Sequence, residues 1–294
     1  MDLNWLRDFE CLARTQNFTR AANERNITQS AFSRRIKALE SWVGLPLVNR
    51  ATYPVQLTES GQNFLPIASG AMSQLSEARQ SIRDADRGET RFINISVLHT
   101  ISVNYLVKRI DDLQKELPEM RTRVISDSLS TCCDLLVEGA VDIMLCYGHH
   151  TVSPMIDETA FERKDLREDR LIPVAATGPA CSNGWDLDRR DGPPIPYLAY
   201  ERSTFLGVVV ENTIDHKPLH AKTIYVDGLV EAIKRRLLAG CGFAWMPETS
   251  ISAELAEGSL VPIGKADWVA SLTISAFSNR PLFDQTAEDL WAML

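Results

Sequence analysis

Three observations in the sequence predict an α+β chain of several domains. Two short helical patterns rich in cations, followed by a Pro-containing extended segment, occupy residues 18–57. A heptad of apolar and small residues runs from Phe64 to Ile82, and from Arg91 onward strand and helix patterns alternate. The first predicts a winged helix-turn-helix, the second a long linker helix, and the third an α/β domain with a mostly parallel, covered sheet.

With 294 residues the chain is long enough for two or three domains, and its 45% hydrophobic and 24% charged content is ordinary for a globular protein. No apolar run approaches the ~20 residues that span a bilayer. Met1-Asp2-Leu3-Asn4 lacks the basic start and apolar region of a signal peptide, so a cytoplasmic protein without a membrane partner is expected. The formal net charge is −8, yet residues 20–50 carry six Arg or Lys against two Glu. Nucleic-acid binding needs a basic face and not a basic protein.

Residues 3 to 15 place Leu3, Leu6, Phe9, Leu12 and Ala13 at helical spacing, which predicts a scaffold helix. Ala21-Ala22 supplies the small residues that let two helices approach closely. Thr28 can cap the next helix, because its hydroxyl can accept from an amide one turn on. Phe32, Ile36 and Leu39 face inward in that helix. Gln29, Ser30, Ser33, Arg34 and Lys37 are left on the solvent side. A recognition helix needs such a face: polar groups to reach base edges and cations to hold phosphates. An ordinary solvated face is the competing reading. Leu47–Arg50 and Val55–Leu57 can form a hairpin wing with Arg50 at the groove.

Thr58 starts the following helix, with Glu59 in its first turn where the helix dipole favours an anion. Phe64, Ala68, Ala71, Leu75, Ala78 and Ile82 form a heptad seam, interrupted in its hydrogen bonding by Pro66. A partner helix fits this seam; packing on the chain's own second domain is the alternative. The polar, Gly-containing stretch Asp84–Thr90 predicts a hinge and the first domain boundary.

Beyond it, strands are expected at Phe92–Leu98, Arg121–Ser126, Ile143–Cys146, Leu171–Ala176, Tyr197–Tyr200, Thr223–Val226, Phe243–Met246 and Val269–Phe277. Helices are expected over Ile101–Leu117, Cys132–Glu138, from about Thr204, over Gly228–Ala239, and from Pro281.

The run TQSAFSRRIKALE, then Val43–Arg50 and Leu57-Thr58-Glu59-Ser60-Gly61, resembles the N-terminal domain of LysR-type transcriptional regulators over Leu3 to about Phe64. Gly240–Pro247 (GCGFAWMP) is similar to a motif of that family's effector domain. The resemblance implies DNA contacts at Gln29, Ser30, Ser33 and Arg34, with Arg50 in the wing. It also implies a C-terminal domain of periplasmic-binding-protein type with two lobes. The expected divisions are 1–58 for DNA binding, 59–87 for the linker helix and 91–294 for the effector domain. Within the last, lobe I covers about 91–161 and 267–294, and lobe II about 162–266. A dimer through the linker helices is expected, and the resemblance implies a tetramer through the effector domains. Both ends together look most similar to the hypochlorite-responsive branch. Leu206 and Leu229 stand where that branch suggests oxidisable methionines, and leucine cannot be oxidised that way.

Strand ends lead into polar residues that open helices, and ligands of open α/β sheets bind at such ends. Thr100, Ser128, Ser203, Thr204 and Asp227 are therefore candidates for an inter-lobe site holding a small, anionic effector. Simple capping of their own helices is the competing reading.

The six cysteines show no CxxC pairing, which suits free thiols in a reducing compartment. Cys132, Cys133 and Cys146 are the redox candidates. A helix start would lower a thiol pKa at Cys132-Cys133, whereas small-residue packing would leave them inert. His149-His150 beside Cys146, and His216 with His220, are the places where a metal is conceivable. Adjacent histidines usually point apart and no carboxylate has helical ligand spacing, so no metal and no cofactor is expected. The leading reading is a sequence-specific regulator that binds double-stranded DNA under the control of the effector. An oxidant sensor acting through Cys or Met is the alternative within the same class. An α/β enzyme with a regulatory N-terminal part is the alternative of another class. The absence of a nucleophile elbow, Walker loop, GxGxxG or HExxH counts against it, and no catalytic residue is assigned.

Overall fold

The computed structural model of the chain describes residues 2–52, 54–86, 91–152, 156, 160–178, 185–188, 191–215, 217, 219–278, 282 and 285–294. Part of the expected hinge (87–90), Cys181, His216 and Pro281 lie outside the described residues. The chain divides into two compact units, Met1–Arg91 with Asp134–Val141, and Phe92–Cys133 with Asp142–Leu294.

In the first unit, α1 (Leu3–Thr15) starts at Asp2, whose carboxylate accepts from the Asn4 amide at 2.9 Å. Helix α2 (Phe18–Glu24) starts at Asn17, which accepts from the amides of Thr19 and Arg20. Helix α3 (Gln29–Val43) starts at Thr28, whose hydroxyl accepts from Ala31 at 3.2 Å, and ends on Gly44 at φ 84°. Asp, Asn and Thr suit these positions because a short side-chain oxygen satisfies first-turn amides that the helix cannot. Leu6, Phe9 and Leu12 meet Phe32, Ile36 and Leu39 over buried Ala21 and Ala22. The Phe18 and Phe32 rings meet edge to face, with centroids 6.0 Å apart.

The hairpin pairs β1 (Val48–Asn49) with β2 (Gln56–Leu57), antiparallel. Helix α4 (Glu59–Asp86) follows and continues through Pro66. At Gly61 the backbone passes so close to Leu47 that a Cβ would lie 2.1 Å from its carbonyl oxygen, so only glycine fits there. The heptad seam divides in two. Phe64 and Ala68 pack on the helix-turn-helix core, with the Phe64 ring 5.9 Å from Phe9. Leu75 and Ile82 are 53% and 71% exposed, and Ala71 and Ala78 are exposed beside them.

The second unit holds one mixed sheet, in the order β4-β3-β5-β11-β6-β9-β7-β8 with β10 added on β6. Strands β3 (Phe92–Leu98), β4 (Arg121–Asp127) and β5 (Ile143–Gly148) are parallel. So are β7 (Ile195–Tyr200), β8 (Ala221–Asp227) and β9 (Phe243–Pro247). The two trios are joined by antiparallel β6 (Glu162–Ala176) and β11 (Ala270–Ser278). Strand β6 pairs with β11 along Glu162–Leu171 and with β9 along Leu171–Ala175.

The strand expected from Leu171 thus begins nine residues earlier, at Glu162. Its first part is charged and alternates on a partly exposed face, so it carries no apolar run for a sequence reading to find. The short β10 (Leu260–Pro262) and helix α10 (Ser252–Glu257) were likewise not expected. The helix expected over Ile101–Leu117 is three pieces. They are α5 (His99–Ile101), a π-helical turn over Ser102–Leu106, and α6 (Val107–Glu116). Helix α7 (Leu129–Val137) runs across the division after Cys133, and helices α8 (Phe205–Ile214), α9 (Val230–Leu238) and α11 (Gln285–Met293) complete the unit. Its core holds Tyr147, Phe243, Trp245, Phe277 and Trp291, all buried. The buried indole of Trp245 donates to the Trp268 carbonyl at 2.7 Å. Among the described residues no helix is long and apolar enough to cross a membrane.

Candidate functional site

On α3 the buried stripe Phe32, Ile36 and Leu39 leaves Gln29, Ser30, Arg34 and Lys37 exposed on the opposite side, with Ser33 half-buried between them. Thr28 is spent on its cap and lies 3.1 Å from the Ser30 hydroxyl. The Arg34 Nε lies 3.4 Å from the Ser30 carbonyl, a long contact that leaves its guanidinium able to reach outward. Gln29 accepts from the Thr19 hydroxyl at 3.3 Å.

Arg50 is more constrained than a free wing cation. Its guanidinium lies 2.8 Å from Glu40, 3.3 Å from the Ser33 hydroxyl and 5.3 Å from the centre of the Phe18 ring. The other Glu40 oxygen accepts from the amides of Leu47 and Val48, so one carboxylate ties the wing to α3. Sequence reasoning missed Glu40; only its place seven residues before the wing hints at it. It also missed Asp8, which is fully buried on α1 and accepts from Arg25 at 2.6 Å and Arg35 at 3.2 Å.

In the second unit Thr100, Ser128, Ser203, Thr204 and Asp227 all line one cavity of about 580 Å3. The structure separates them by what each already holds. Thr204 accepts from the Gly207 amide at 3.1 Å and donates to the Glu201 carbonyl at 2.7 Å, so it is a helix cap. Gly207 permits this turn, because a Cβ there would lie 2.2 Å from the Glu201 carbonyl oxygen. Ser128 accepts from the Thr131 amide and shares its hydroxyl with Ser130 and Thr131. Among the described residues the hydroxyls of Thr100 and Ser203 have no hydrogen-bond partner. Leu98, Phe205, Leu206 and Leu229 supply apolar wall, and the buried Tyr147 ring stacks on Phe205 at 6.1 Å.

The charge of this cavity bears on the expected anionic effector. Among the described residues its lining contains Asp127 and Asp227 and no Lys or Arg, with His99 the one basic side chain. The Tyr225 hydroxyl at 2.5 Å and then the Leu229 amide hold the Asp227 carboxyl below the usual carboxylate range. The Ser128 amide does the same for Asp127. Two helix-start amides that would have attracted an anionic ligand are therefore occupied by the protein's own anions. The lining favours a neutral or cationic ligand over the anionic one expected.

Burial decides between the two readings of the thiols. Cys132, Cys133 and Cys146 are all buried. Cys132 turns into the core from α7, and burial pushes its thiol up to about 11, outweighing the favourable hydrogen bonds nearby. It lacks the thiolate character of a reactive cysteine. Cys133 is in the cavity wall, and Cys241 is half-buried. His149 and His150 do not point apart; their ring centroids are 4.1 Å apart. Burial, then the neighbouring His150, lowers the His149 pKa. Among the described residues no group of three His, Cys, Asp or Glu could hold a metal ion.

Residues 3–62 match the family of bacterial regulatory helix-turn-helix proteins of the lysR type, and residues 86–294 match the LysR substrate binding domain. The HTH-type transcriptional regulator YjiE of Escherichia coli (strain K12) is 31% identical, covering 100% of this chain and 94% of that protein. Among solved structures, full-length HypT from Salmonella typhimurium, a hypochlorite-specific LysR-type regulator, is 30% identical with a TM-score of 0.58. That likeness covers 99% of this chain and 96% of HypT. DarR of Vibrio fischeri, solved in complex with DNA, is 26% identical with a TM-score of 0.60 over 100% of this chain and 98% of its own. The two-unit architecture, the helix-turn-helix and the cavity-bearing α/β unit agree with these likenesses, and the chain belongs to the LysR family of bacterial transcriptional regulators.

Proposed function

We propose that this chain regulates transcription by reading double-stranded DNA with α3 and the β1–β2 wing, and that a small molecule in the 580 Å3 cavity sets its activity. One observation carries the reading. A single 15-residue helix buries Phe32, Ile36 and Leu39 and presents Gln29, Ser30, Arg34 and Lys37 on its other side. Arg34 and Gln29 suit bidentate contacts to guanine and adenine edges, and Lys37 suits a phosphate. Arg50, held by Glu40, sets the wing against α3 and offers its remaining donors to the backbone. The DNA complex of the similar DarR supports the same use of the domain.

The effector is a small, largely apolar molecule, neutral or positively charged, recognised by the Thr100 and Ser203 hydroxyls between Asp127 and Asp227. Two copies of the chain pair through the exposed Leu75 to Ile82 face of α4, and two such pairs make a tetramer. The chain does no chemistry on its ligand and works in the cytoplasm, where the DNA is. Sulfur-based oxidant sensing is disfavoured at this cavity, where Leu206 and Leu229 stand and Cys133 is the one sulfur in the described lining.

Genome-wide mapping of bound sites with the parent chain and Arg34→Ala tests the DNA reading. A discrete set of parent sites, lost or broadened in the variant, is expected. Identical maps would overturn it.

A further inference from the structure

A second cavity of about 210 Å3 lies elsewhere in the α/β unit, beside the π-helical turn. It is smaller than the ~300–1,000 Å3 that drug-sized ligands fill, which points to an ion-sized occupant. Lys108, Arg109 and Arg167 bring three cations to its wall, against the single carboxylate of Asp112. That carboxylate is already taken by Lys115 at 2.7 Å. Arg109 donates to the Met293 carbonyl, and its charge also acts on Asp112. Among the described residues neither Lys108 nor Arg167 makes a close ion pair, although the charge of Arg167 acts on Glu248.

Tyr105 adds an independent sign of a ligand. Its phenol lines the cavity half-buried, and among the described residues its hydroxyl has no hydrogen-bond partner. Burial raises the phenol's pKa, although the charges of Arg109 and Arg167 act the other way, and a phenol is protonated at neutral pH in any case. It therefore keeps a hydrogen to donate. Guanidinium, ammonium and phenol donors lining one small space suit an oxyanion.

Two hydrogen-bonded routes join this cavity to the larger one. Asn104 lines the small cavity and donates to the carbonyl of Thr100, which lines the large one, at 3.0 Å, and to Glu231 on α9 at 3.2 Å. Thr249 lines the small cavity and donates to buried Asp169 at 2.6 Å; Tyr147, in the wall of the large cavity, donates to the same carboxylate at 3.4 Å. Asn104 lies in the π-helical turn, an irregularity often found at functional positions.

We propose that the small cavity is an oxyanion site, taking a doubly charged group such as inorganic phosphate, and that its occupancy is felt at the large cavity through Asn104 and Asp169. This site is separate from the proposed effector site and stands without it.

The test is titration of the full chain with inorganic phosphate by calorimetry, at ionic strength held constant with chloride. Saturable binding is expected. Arg167→Gln should weaken it about tenfold or more, the size of one charge-assisted hydrogen bond. Tyr105→Phe should weaken it as well, because a directional donor is lost without loss of charge. Lys108→Gln, on an exposed side chain, serves if Arg167→Gln misfolds. Absence of saturable binding, or equal binding by the parent and both charge variants, would overturn the site. Phosphate should also slow amide hydrogen exchange over residues 98–106 in the parent and less so in Asn104→Ala. Exchange that does not respond to phosphate in the parent would overturn the coupling.

Discussion

Asp8 and Arg25 meet at 2.6 Å beneath the helix-turn-helix, with Asp8 fully buried and Arg25 reaching in from the end of α2. Arg35 closes on the other Asp8 oxygen from α3, so one carboxylate positions all three helices behind the DNA-reading face. Removing one partner from a buried ion group costs about 3–5 kcal/mol, and the partial exposure of both arginines puts Asp8→Ala toward the lower end. Chemical denaturation of the N-terminal unit followed by circular dichroism should show that loss. An unchanged midpoint would mean that the triad adds nothing to stability.

Arg34 and Arg50 should separate specificity from general affinity. Arg34→Ala is expected to cost about 1–3 kcal/mol at a mapped site and to relax sequence choice. Arg50→Ala should weaken all sequences more evenly, and it should also loosen the wing, since Glu40 loses its cation. Gel-shift competition between specific and random duplexes over a salt series reads both effects. Equal losses on both duplexes for Arg34→Ala would place base reading elsewhere.

The exposed half of α4 makes assembly testable. Leu75→Glu would place a charge in any seam through Leu75 and Ile82, which should split the dimer. Phe64 and Ala68 pack within the chain, so the same substitution should leave the helix-turn-helix folded. Multi-angle light scattering showing the parental mass for this variant would remove the α4 interface.

The hydroxyls of the large cavity should behave in two ways. Thr100→Val and Ser203→Ala remove groups with no other partner among the described residues, and should cost effector affinity on the order of 1–3 kcal/mol with stability retained. Thr204→Val removes a cap, and should lower stability by about 1 kcal/mol. A promoter reporter and a melting curve on each variant distinguish them. A normal effector response in both Thr100→Val and Ser203→Ala would remove the cavity from recognition.

Thiol labelling should follow burial. Iodoacetamide at neutral pH is expected to modify half-buried Cys241 before Cys132, whose thiol is pushed up to about 11. Mass spectrometry that finds Cys132 labelled first in folded protein would restore it as a redox candidate.

Local chemistry made much of this legible in the sequence. The Thr28 cap, the inward spacing of Phe32, Ile36 and Leu39, the small pair Ala21-Ala22 and the hydroxyls at strand ends are each set by neighbours within a turn or two. Periodicity and capping report such features without a fold. Residues far apart in the chain decided the rest. Strand β6 holds its charged half because β11, about a hundred residues away, pairs with it. The affinity of the large cavity for charge turned on which amides Asp127 and Asp227 had already taken, and the Cys132 thiol on the core around it. A sequence shows which groups a residue carries. Only the tertiary structure shows which of them are already paired, because desolvation and hydrogen bonding depend on neighbours that the chain order does not place together.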